Sequence, residues 1–241
     1  MFNKQRLLHV KSENKNWCSW LLIELSHVWK SYGATCILKD LDLTVEEGDF
    51  ISIRGKSGVG KTTLLKIIGL LENPDRGEVK LFGREVNGLS DKERSMLRLN
   101  SIGFVFQFFN LLPSLTVLEN IELPMALAGV GKVERAERAL ELLEHFGLTG
   151  LSRRFPETLS GGEKQRIAII RALANNPKII LADEPTSSID DENSALIIET
   201  LCRIIDERKV TIVITTTDLY EKLPTTSDYM LKDGRLHRIS R

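Results

Sequence analysis

Apolar runs and polar breaks alternate along the chain and predict its secondary structure. Short runs rich in β-branched residues, bounded by glycine or charged residues, are typical of buried strands. Such runs occur at residues 21–25, 50–54, 101–107, 179–182 and 211–215. After residue 160, helical spacing at 162–174 and 191–207 separates the strands. Strands that alternate with helices pair in parallel, so the pattern predicts an α/β fold with a mostly parallel sheet and helices on both faces.

A helical block separates the strand at 101–107 from the strand at 179–182. Within it, residues 132–147 carry apolar side chains at helical spacing and charged residues on the opposite face. The apolar face is expected to consist of Val133, Ala136, Leu140, Leu143 and Phe146. We therefore predict one folding unit at residues 21–241, with a helical subdomain inserted at about 108–175 and a polar extension at residues 1–20.

The charge balance and composition limit the possible partners and compartment. The 241 residues include 33 Lys and Arg against 33 Asp and Glu, for a net charge of zero, which argues against a nucleic-acid partner. No apolar run approaches the roughly 18 residues that span a bilayer, and charges interrupt the N-terminal segment, unlike a signal peptide. Three cysteines without metal-type spacing suit a reducing compartment. We expect a cytoplasmic protein, or one held at the cytoplasmic face of the membrane by other chains.

The sequence GKSGVGKTT at residues 55–63 fits the pattern G-x-x-x-x-G-K-[ST], between a predicted strand and a predicted helix. Its glycines let backbone N–H groups turn inward around an anion, and the helix N-terminus adds positive potential. Lys61 would reach the β- and γ-phosphates of ATP, and Thr62 would offer its hydroxyl to Mg²⁺. The strand–loop–helix context disfavours the alternative, a glycine turn with an unrelated lysine. The predicted nucleotide-binding residues are Gly55, Lys56, Ser57, Gly58, Val59, Gly60, Lys61, Thr62 and Thr63.

Two adjacent carboxylates, Asp183 and Glu184, follow an apolar strand in the sequence KIILADEP at residues 178–185. A solvated turn is the alternative explanation for such a pair. Beside a phosphate-binding loop, however, we predict a division of roles. Asp183 would order Mg²⁺ directly or through water, and Glu184 would polarise the attacking water.

The sequence LSGGEKQR at residues 159–166 opens a second helix that could bind an anion. Ser160 suits the N-cap position, and Gly161 and Gly162 leave backbone N–H groups open to close approach. On its own, the motif is explained equally well by an ordinary capped helix with a flexible entry.

Together these motifs resemble the ATP-binding-cassette (ABC) ATPases, from about residue 22 to the C-terminus. The loop at 55–63, Gln107 at a strand end, LSGGEKQR, LADEP and SSID (187–190) occur in the family's order. Residues 102–130 are similar to the branch that serves lipoprotein release, macrolide export and antimicrobial-peptide systems, with a cell-division relative. The resemblance implies a P-loop NTPase core with an antiparallel β subdomain, and ATP and Mg²⁺ as ligands.

The resemblance also implies roles that the local patterns do not assign. Two copies would form a head-to-tail dimer, in which Ser160–Gly162 of one covers the ATP of the other, and a two-fold axis would fill both sites. Gln107 would sense the γ-phosphate and Mg²⁺, and Asp190 would signal across the dimer. Tyr32 would stack on adenine, with Trp29 as a weaker candidate. Core packing is the alternative for both aromatic residues.

Two positions depart from the family pattern. The family has a histidine that contacts the γ-phosphate after the strand at 211–215, and Thr217 takes its place here. Threonine is shorter and never cationic, and losing a hydrogen bond to a charged partner costs roughly 1.5–3 kcal/mol. The segment SSID also stands where close relatives have Gly-Asn-Leu-Asp. Because Glu184 is present, we predict an ATPase with slow hydrolysis rather than an inactive one.

Two functions fit these expectations. One is an ATPase subunit that drives separate membrane permease subunits, and the other is a nucleotide-gated regulatory or scaffolding subunit with little turnover. A soluble kinase would have no use for the motif at 159–166, and a DNA-maintenance ATPase would need a long insertion that the chain lacks. The membrane partner would dock on a groove formed by Phe108, Phe109, Leu111, Leu112 and the helix that begins near Thr116. The alternative explanation is that these residues form the core of the inserted lobe.

Overall fold

A computed structural model describes residues 21–187, 189–219 and 222–239. The polar extension that we predicted at residues 1–20 lies outside the described residues. The strands are, in chain order, β1 (Leu21–Tyr32), β2 (Thr35–Glu46), β3 (Phe50–Arg54), β4 (Arg76–Leu81), β5 (Arg84–Glu85), β6 (Ile102–Val105), β7 (Ile179–Asp183), β8 (Thr211–Thr216), β9 (Ser227–Lys232) and β10 (Arg235–Ile239). The α-helices are α1 (Lys61–Ile68), α2 (Asp91–Ser101), α3 (Val117–Leu127), α4 (Lys132–His145), α5 (Gly161–Leu173) and α6 (Asp191–Arg208).

The described strands form two sheets. The larger has the order β10-β9-β3-β8-β7-β6, and every neighbouring pair in it is parallel except β9 with β10. The smaller has the order β2-β1-β4-β5 and is antiparallel throughout. Helices α3, α4 and α5 lie between β6 and β7 in the chain. The predicted fold class is therefore confirmed, with a mostly parallel core sheet, an antiparallel β unit and an inserted helical segment.

The core sheet is buried on both faces, as expected for parallel strands between layers. On one face, Phe50 and Ile212 belong to an apolar cluster that also takes in helices α3 to α6. On the other face, Ile51 and Val213 join a cluster with α1 and the antiparallel sheet. Successive residues of each strand thus enter opposite clusters, which fixes the register of the strands.

Helix α4 faces the core with a different set of residues from the one that we predicted. Val133 is 72% exposed and Leu140 is 40% exposed, whereas Ala139 and Leu142 are buried beside Leu143. Residues 139, 142, 143 and 146 also follow helical spacing, so the sequence contains two overlapping apolar faces. Packing against the neighbouring helices selects the one that is buried, and the prediction for Val133 and Leu140 was wrong.

Helix α2 was not predicted, although its sequence carries a start signal. Ser90 accepts a hydrogen bond from the Glu93 backbone N–H, and the Glu93 carboxylate accepts one from the Ser90 backbone N–H at 2.9 Å. This reciprocal capping box satisfies two donors at the helix N-terminus. The S-x-x-E spacing could have located the helix, but the turn residues that surround it obscured the signal.

Substitutions in α4 test which face is buried. Leu143→Ala should lower the free energy of unfolding by about 2–5 kcal/mol, because it opens a cavity at a fully buried position. Leu140→Ala, a matched change in the same helix, should cost less than about 1 kcal/mol, because Leu140 is partly exposed. Urea denaturation of both variants measures the difference, and equal losses would contradict the observed packing.

Candidate functional site

Three parallel strands bring the predicted site residues to one edge of the core sheet. In the register of the sheet, Thr215 of β8 lies opposite Ile53 of β3 on one side and Asp183 of β7 on the other. The carboxyl ends of parallel strands meet at the same edge, which is where ligands bind in open α/β sheets. The glycine loop after β3 and the carboxylates at the end of β7 are therefore neighbours, although more than a hundred residues separate them in the chain.

The glycine loop has a backbone shape that larger residues could not adopt. Gly58 and Gly60 have φ angles of 79° and 109°, in the left-handed region that favours glycine. A Cβ atom at Gly60 would lie 2.6 Å from Cγ2 of Ile37 in β2. Helix α1 starts immediately afterwards, at Lys61. Its unpaired first-turn N–H groups and its dipole make the loop a suitable cradle for an anion.

The Lys61 side chain is buried at the centre of the loop. Its Nζ donates hydrogen bonds to the carbonyl oxygens of Gly55 at 2.9 Å and Lys56 at 3.1 Å. The same nitrogen lies 3.0 Å from Oε1 of Glu184, and the two side chains are 4% and 16% exposed. Glu184 has a φ of 46°, an uncommon angle for a residue with a side chain, which often occurs at functional sites. The predicted phosphate-binding lysine and the predicted water-polarising carboxylate are therefore in direct contact.

A hydrogen-bonded chain of oxygens connects Thr62, Asp183 and Thr215. The Thr62 hydroxyl donates to Oδ2 of Asp183 at 2.7 Å, and the Thr215 hydroxyl donates to Oδ1 at 2.6 Å. Thr215 Oγ1 also accepts from the backbone N–H of Glu184 at 3.1 Å. Thr215 thus orients both carboxylate residues, and the sequence analysis did not single it out. Its only sequence signal was its position as a polar residue at the end of an apolar strand.

The donor set at Thr62 and Asp183 fits Mg²⁺, which prefers oxygen ligands and usually completes its shell with water and phosphate. Within residues 21–187, 189–219 and 222–239, no cluster of three or more His, Cys, Asp or Glu side chains could hold a metal by itself. A hydroxyl and one carboxylate therefore suit an ion that arrives together with a phosphate ligand.

A cleft of about 280 Å³ lies in front of the glycine loop. Tyr32 lines it and is 47% exposed, and its hydroxyl donates to Glu72 while Lys30 lies over its ring. The exposure of this ring disfavours the core-packing explanation. Trp29 is half-buried in β1 and does not line the cleft. The lining residues are Tyr32, Ile37, Ser57, Gly58, Gly60, Lys61, Thr62, Thr63, Gln107 and Glu184.

Three other residues of the predicted loop have different surroundings. Lys56 is exposed, and its carbonyl rather than its side chain engages Lys61. Val59 is half-buried and packs on the apolar cluster of the β unit. Gly55 is buried, and a Cβ there would lie 2.7 Å from the carbonyl oxygen of Leu231. These residues shape the loop and do not line the cleft.

The helix start at 159–166 lies outside the lining of this cleft. Ser160 caps α5 in a reciprocal box with Glu163, and Ser160 and Gly161 are exposed. Gly162 is instead packed against α6, where a Cβ would lie 2.3 Å from Oδ1 of Asn193. None of residues 160–162 lines the cleft of its own chain. The open surface of the motif is Ser160 and Gly161, and Gly162 has a packing role that the sequence did not reveal.

Two contacts connect this helix to other predicted site residues. Asp190 caps α6, and its carboxylate accepts from both the backbone and the side chain of Asn193, which lowers the pKa of Asp190. Asn193 in turn contacts Gly162. The fully buried Gln165 of α5 donates to the carbonyl oxygen of Phe106, next to Gln107. Asp190 is therefore linked to α5 through Asn193, and the residue before Gln107 is hydrogen-bonded to α5.

Thr217 lies one residue beyond the end of β8 and is half-buried. It is not among the residues that line the cleft. Of the threonines that follow Ile214, Thr215 makes the close contact with Asp183.

The segment after β6 has both exposed and packed apolar residues. Phe108 is 74% exposed and Leu112 is 43% exposed, while Leu111 packs against the helical cluster. The fully buried Asn120 of α3 binds both the N–H and the carbonyl of Leu112. The core-packing explanation therefore holds for Leu111, and Phe108 and Leu112 remain available as a surface.

A glycine loop between a parallel strand and a helix, with an aspartate at the end of the next strand but one in the same sheet, defines a P-loop NTPase. Residues 38–187 match the family described as "ABC transporter". The chain belongs to this family of ATP-binding-cassette ATPases. No helix in the described part of the chain is long and apolar enough to cross a membrane.

The relatives of known sequence are consistent with this assignment. An uncharacterised ABC transporter ATP-binding protein of Methanocaldococcus jannaschii is 43% identical over 222 residues, covering 90% of this chain and 99% of that protein. The lipoprotein-releasing system ATP-binding protein LolD of Bacteroides thetaiotaomicron is 46% identical over 197 residues, covering 82% of this chain and 90% of that protein.

A solved structure is also similar. A dimeric, post-hydrolysis structure of the ATP-binding cassette MJ0796, bound to ADP and Pi, matches with a TM-score of 0.82 and 41% identity. The match covers 91% of this chain and 100% of that one. MJ0796 is a protein of Methanocaldococcus jannaschii.

The contact between Thr215 and Asp183 yields a test of the site. Thr215→Val should weaken the binding of magnesium nucleotide by about 10- to 100-fold, because Asp183 loses the donor that orients it. Thr215→Ser keeps the hydroxyl and should bind as the wild type does. Titrations of each protein with a fluorescent ATP analogue, once in Mg²⁺ and once in EDTA, show how much of the binding affinity depends on the metal. Equal Mg²⁺ dependence in the two variants would contradict an orienting role for Thr215.

Proposed function

We propose that the chain binds ATP and Mg²⁺ at its glycine loop, dimerises around two nucleotides, and hydrolyses them to drive separate membrane subunits of a transporter. Two neighbouring contacts carry this proposal: Lys61 with Glu184, and Thr62 with Asp183. Each of these groups is of the type that phosphoryl transfer to water requires: a cation, an oxygen-rich metal site and a base.

The chain's own residues account for the steps of hydrolysis. Lys61 exchanges its contact with Glu184 for the phosphates of the incoming nucleotide, and this frees Glu184 to accept a proton from the attacking water. Thr62 and Asp183 would hold Mg²⁺, which when bound would supply positive charge next to the phosphate oxygens. Gln107 lines the same cleft, and its proposed role is to contact the terminal phosphate. Tyr32 offers an exposed ring for the base.

The position of the helix start at 159–166 supports a dimer. Ser160 and Gly161 are exposed and lie outside the cleft of their own chain, so their anion-binding end is free to serve a second copy. A head-to-tail arrangement gives each cleft one such helix end and closes with two-fold symmetry. Ser160, Gly161 and Gly162 then belong to the nucleotide site of the partner copy. The dimeric form of the similar protein MJ0796 supports the proposal that this chain forms a dimer.

The proposed membrane partner follows from the similarity to ATP-binding subunits of transport systems, LolD among them. Phe108 and Leu112 supply exposed apolar surface next to Gln107 and suit a docking site for such a partner. We place the chain on the cytoplasmic face of the membrane, attached through these subunits. The partner groups in this proposal are another copy of the chain and permease subunits, and the proposal includes no nucleic acid.

A regulatory or scaffolding role with slow turnover is the second candidate. Thr217 favours it, because a neutral and short side chain replaces the family's histidine and lies outside the cleft lining. Binding and dimerisation do not depend on that position, whereas hydrolysis does. Slow hydrolysis would lengthen the life of the ATP-bound dimer.

The dimer is tested with a variant that binds ATP without cleaving it. Glu184→Gln should accumulate as a dimer in magnesium ATP, because the amide cannot accept the proton of the attacking water. Size-exclusion chromatography with light scattering measures the state, and Lys61→Ala, which removes the phosphate contact, serves as the monomeric control. A Glu184→Gln protein that stays monomeric at saturating nucleotide would refute the dimer.

The role of position 217 is tested by restoring the usual residue. Thr217→His should raise ATP turnover by roughly 10- to 150-fold, because it adds a hydrogen bond of about 1.5–3 kcal/mol to the charged transition state. Thr217→Asn, which is also polar but never cationic, should stay close to the wild type. Steady-state phosphate release measures the turnover of both variants, alone and together with any membrane protein that co-purifies with the chain. Rapid wild-type turnover that is unchanged in Thr217→His would exclude slow hydrolysis as a result of this position.

A further inference from the structure

A buried ion pair lies directly below the glycine loop. Arg54 is the last residue of β3 and Asp228 belongs to the neighbouring strand β9. Their closest atoms, Nη2 and Oδ1, are 3.4 Å apart, and the two side chains are 6% and 8% exposed. Removing both charges from water is costly, and apolar residues of similar volume often stabilise a fold as well or better. The pair therefore calls for an explanation other than stability.

Asp228 is held in one orientation by several donors. The hydroxyl groups of Ser52 and Thr225 both donate to the same Oδ1 atom that faces Arg54, Thr225 at 2.8 Å. Ser52 is on β3, two residues before Arg54, so the side chains of both point to the same face of the sheet. The carboxylate is thus a fixed anchor for the guanidinium.

The other end of the guanidinium holds the segment that follows β8. Nη1 of Arg54 donates to the backbone carbonyl oxygen of Asp218 at 3.0 Å. Asp218 immediately follows Thr217, and its own N–H donates to the hydroxyl of Thr216 at 3.1 Å. The planar, forked guanidinium holds its donors in fixed directions, so one nitrogen can bind the carboxylate while another binds the carbonyl oxygen.

Arg54 also adjoins the phosphate loop itself. Its partner in the strand register is Thr216, and the next residue, Gly55, donates its N–H to the carbonyl oxygen of Thr216 at 3.3 Å. The carbonyl of Gly55 accepts from Lys61. Arg54 therefore connects the two backbone segments that leave the sheet on either side of the site, one toward Lys61 and the other toward Thr217.

We propose that Arg54, anchored by Asp228, is a positioning residue that fixes residues 217–219 beside the phosphate loop and so sets the rate of ATP cleavage. The inference rests on the proposed ATPase function. A threonine at position 217 has a short reach, so it can act on the nucleotide only if its backbone is held in place. Arg54 supplies that constraint through the carbonyl of the adjacent residue.

The decisive variant removes the pair as a whole. Arg54→Met alone leaves the Asp228 carboxylate buried without its cation and is expected to destabilise the protein. The double variant Arg54→Met/Asp228→Leu removes both charges, so its melting temperature should exceed that of Arg54→Met. It should stay below that of the wild type, because the buried hydroxyls of Ser52 and Thr225 lose their shared acceptor. We expect its nucleotide affinity to stay within threefold of the wild type and its turnover to fall at least tenfold. Arg54→Lys, which keeps the charge but lacks the fork, should lose turnover with little change in affinity.

A matched control and a measurement independent of hydrolysis complete the test. The ion pair of Arg203 with Glu207 lies within α6 at 2.8 Å and neither residue lines the cleft, so Arg203→Met/Glu207→Leu should keep wild-type basal turnover. Hydrogen exchange of the peptide that contains Thr217 and Asp218, measured without nucleotide, should be at least tenfold faster in the Arg54/Asp228 double variant than in the wild type.

A stable double variant with turnover within twofold of the wild type would overturn the positioning role and leave the pair as part of the fold alone. If the wild type itself cleaves no ATP, the proposed function fails. The exchange measurement then tests separately whether Arg54 holds the backbone at Asp218 in place. Unchanged exchange at Thr217 and Asp218 would overturn the inference in that case too. Should the double variant not fold, Arg54→Lys carries the same two measurements.

Discussion

The parallel pairing of β3, β7 and β8 is the constraint on which the rest of the site depends. It sets Thr215 opposite both Ile53 and Asp183, and the glycine loop and both carboxylates follow directly from the ends of β3 and β7. Because both faces of the sheet are buried, a shift of one residue would exchange Phe50 with Ile51 and Ile212 with Val213 between two different apolar clusters. The hydrophobic packing of both layers therefore fixes the position of polar atoms at the edge of the sheet to within a hydrogen-bond length.

The charges around this edge are arranged in two layers. In the upper layer, Lys61 contacts Glu184, and Thr62 and Thr215 donate to Asp183, so each charged group has a partner before a nucleotide arrives. In the lower layer, the Arg54–Asp228 pair connects β3, β9 and the segment after β8. The upper contacts are exchangeable, because phosphates and Mg²⁺ offer equivalent partners. The contacts of Arg54 and Asp228 are buried, so a nucleotide does not compete for them, and their role is to hold the backbone in place and not to bind a ligand.

The sequence was most informative where chemistry depends on a few contiguous residues. The glycine loop, the Asp183–Glu184 pair and the capped helix at 159–166 each carry a local signature, and the structure places the first two together. It was least informative where two solutions fit the same pattern. The α4 helix has overlapping apolar faces, and only contacts with its neighbours exclude Val133 and Leu140 from the core. The sequence likewise predicts Gly162 as part of an anion site, but its Cα is packed on Asn193.

The sequence by itself determined the fold class, the phosphate loop and the paired carboxylates, because hydrophobic periodicity and glycine chemistry are properties of short segments. Only the tertiary structure decided that Thr215 orients Asp183, that Lys61 pairs with Glu184, and that Arg54 reaches Asp228 and the carbonyl of Asp218. Thr215 and Asp183 are 32 positions apart in the chain. Arg54 is 174 positions from Asp228 and 164 from Asp218. No local pattern encodes such distances, since the partner of a side chain is set by which strands become neighbours and in which register they pair.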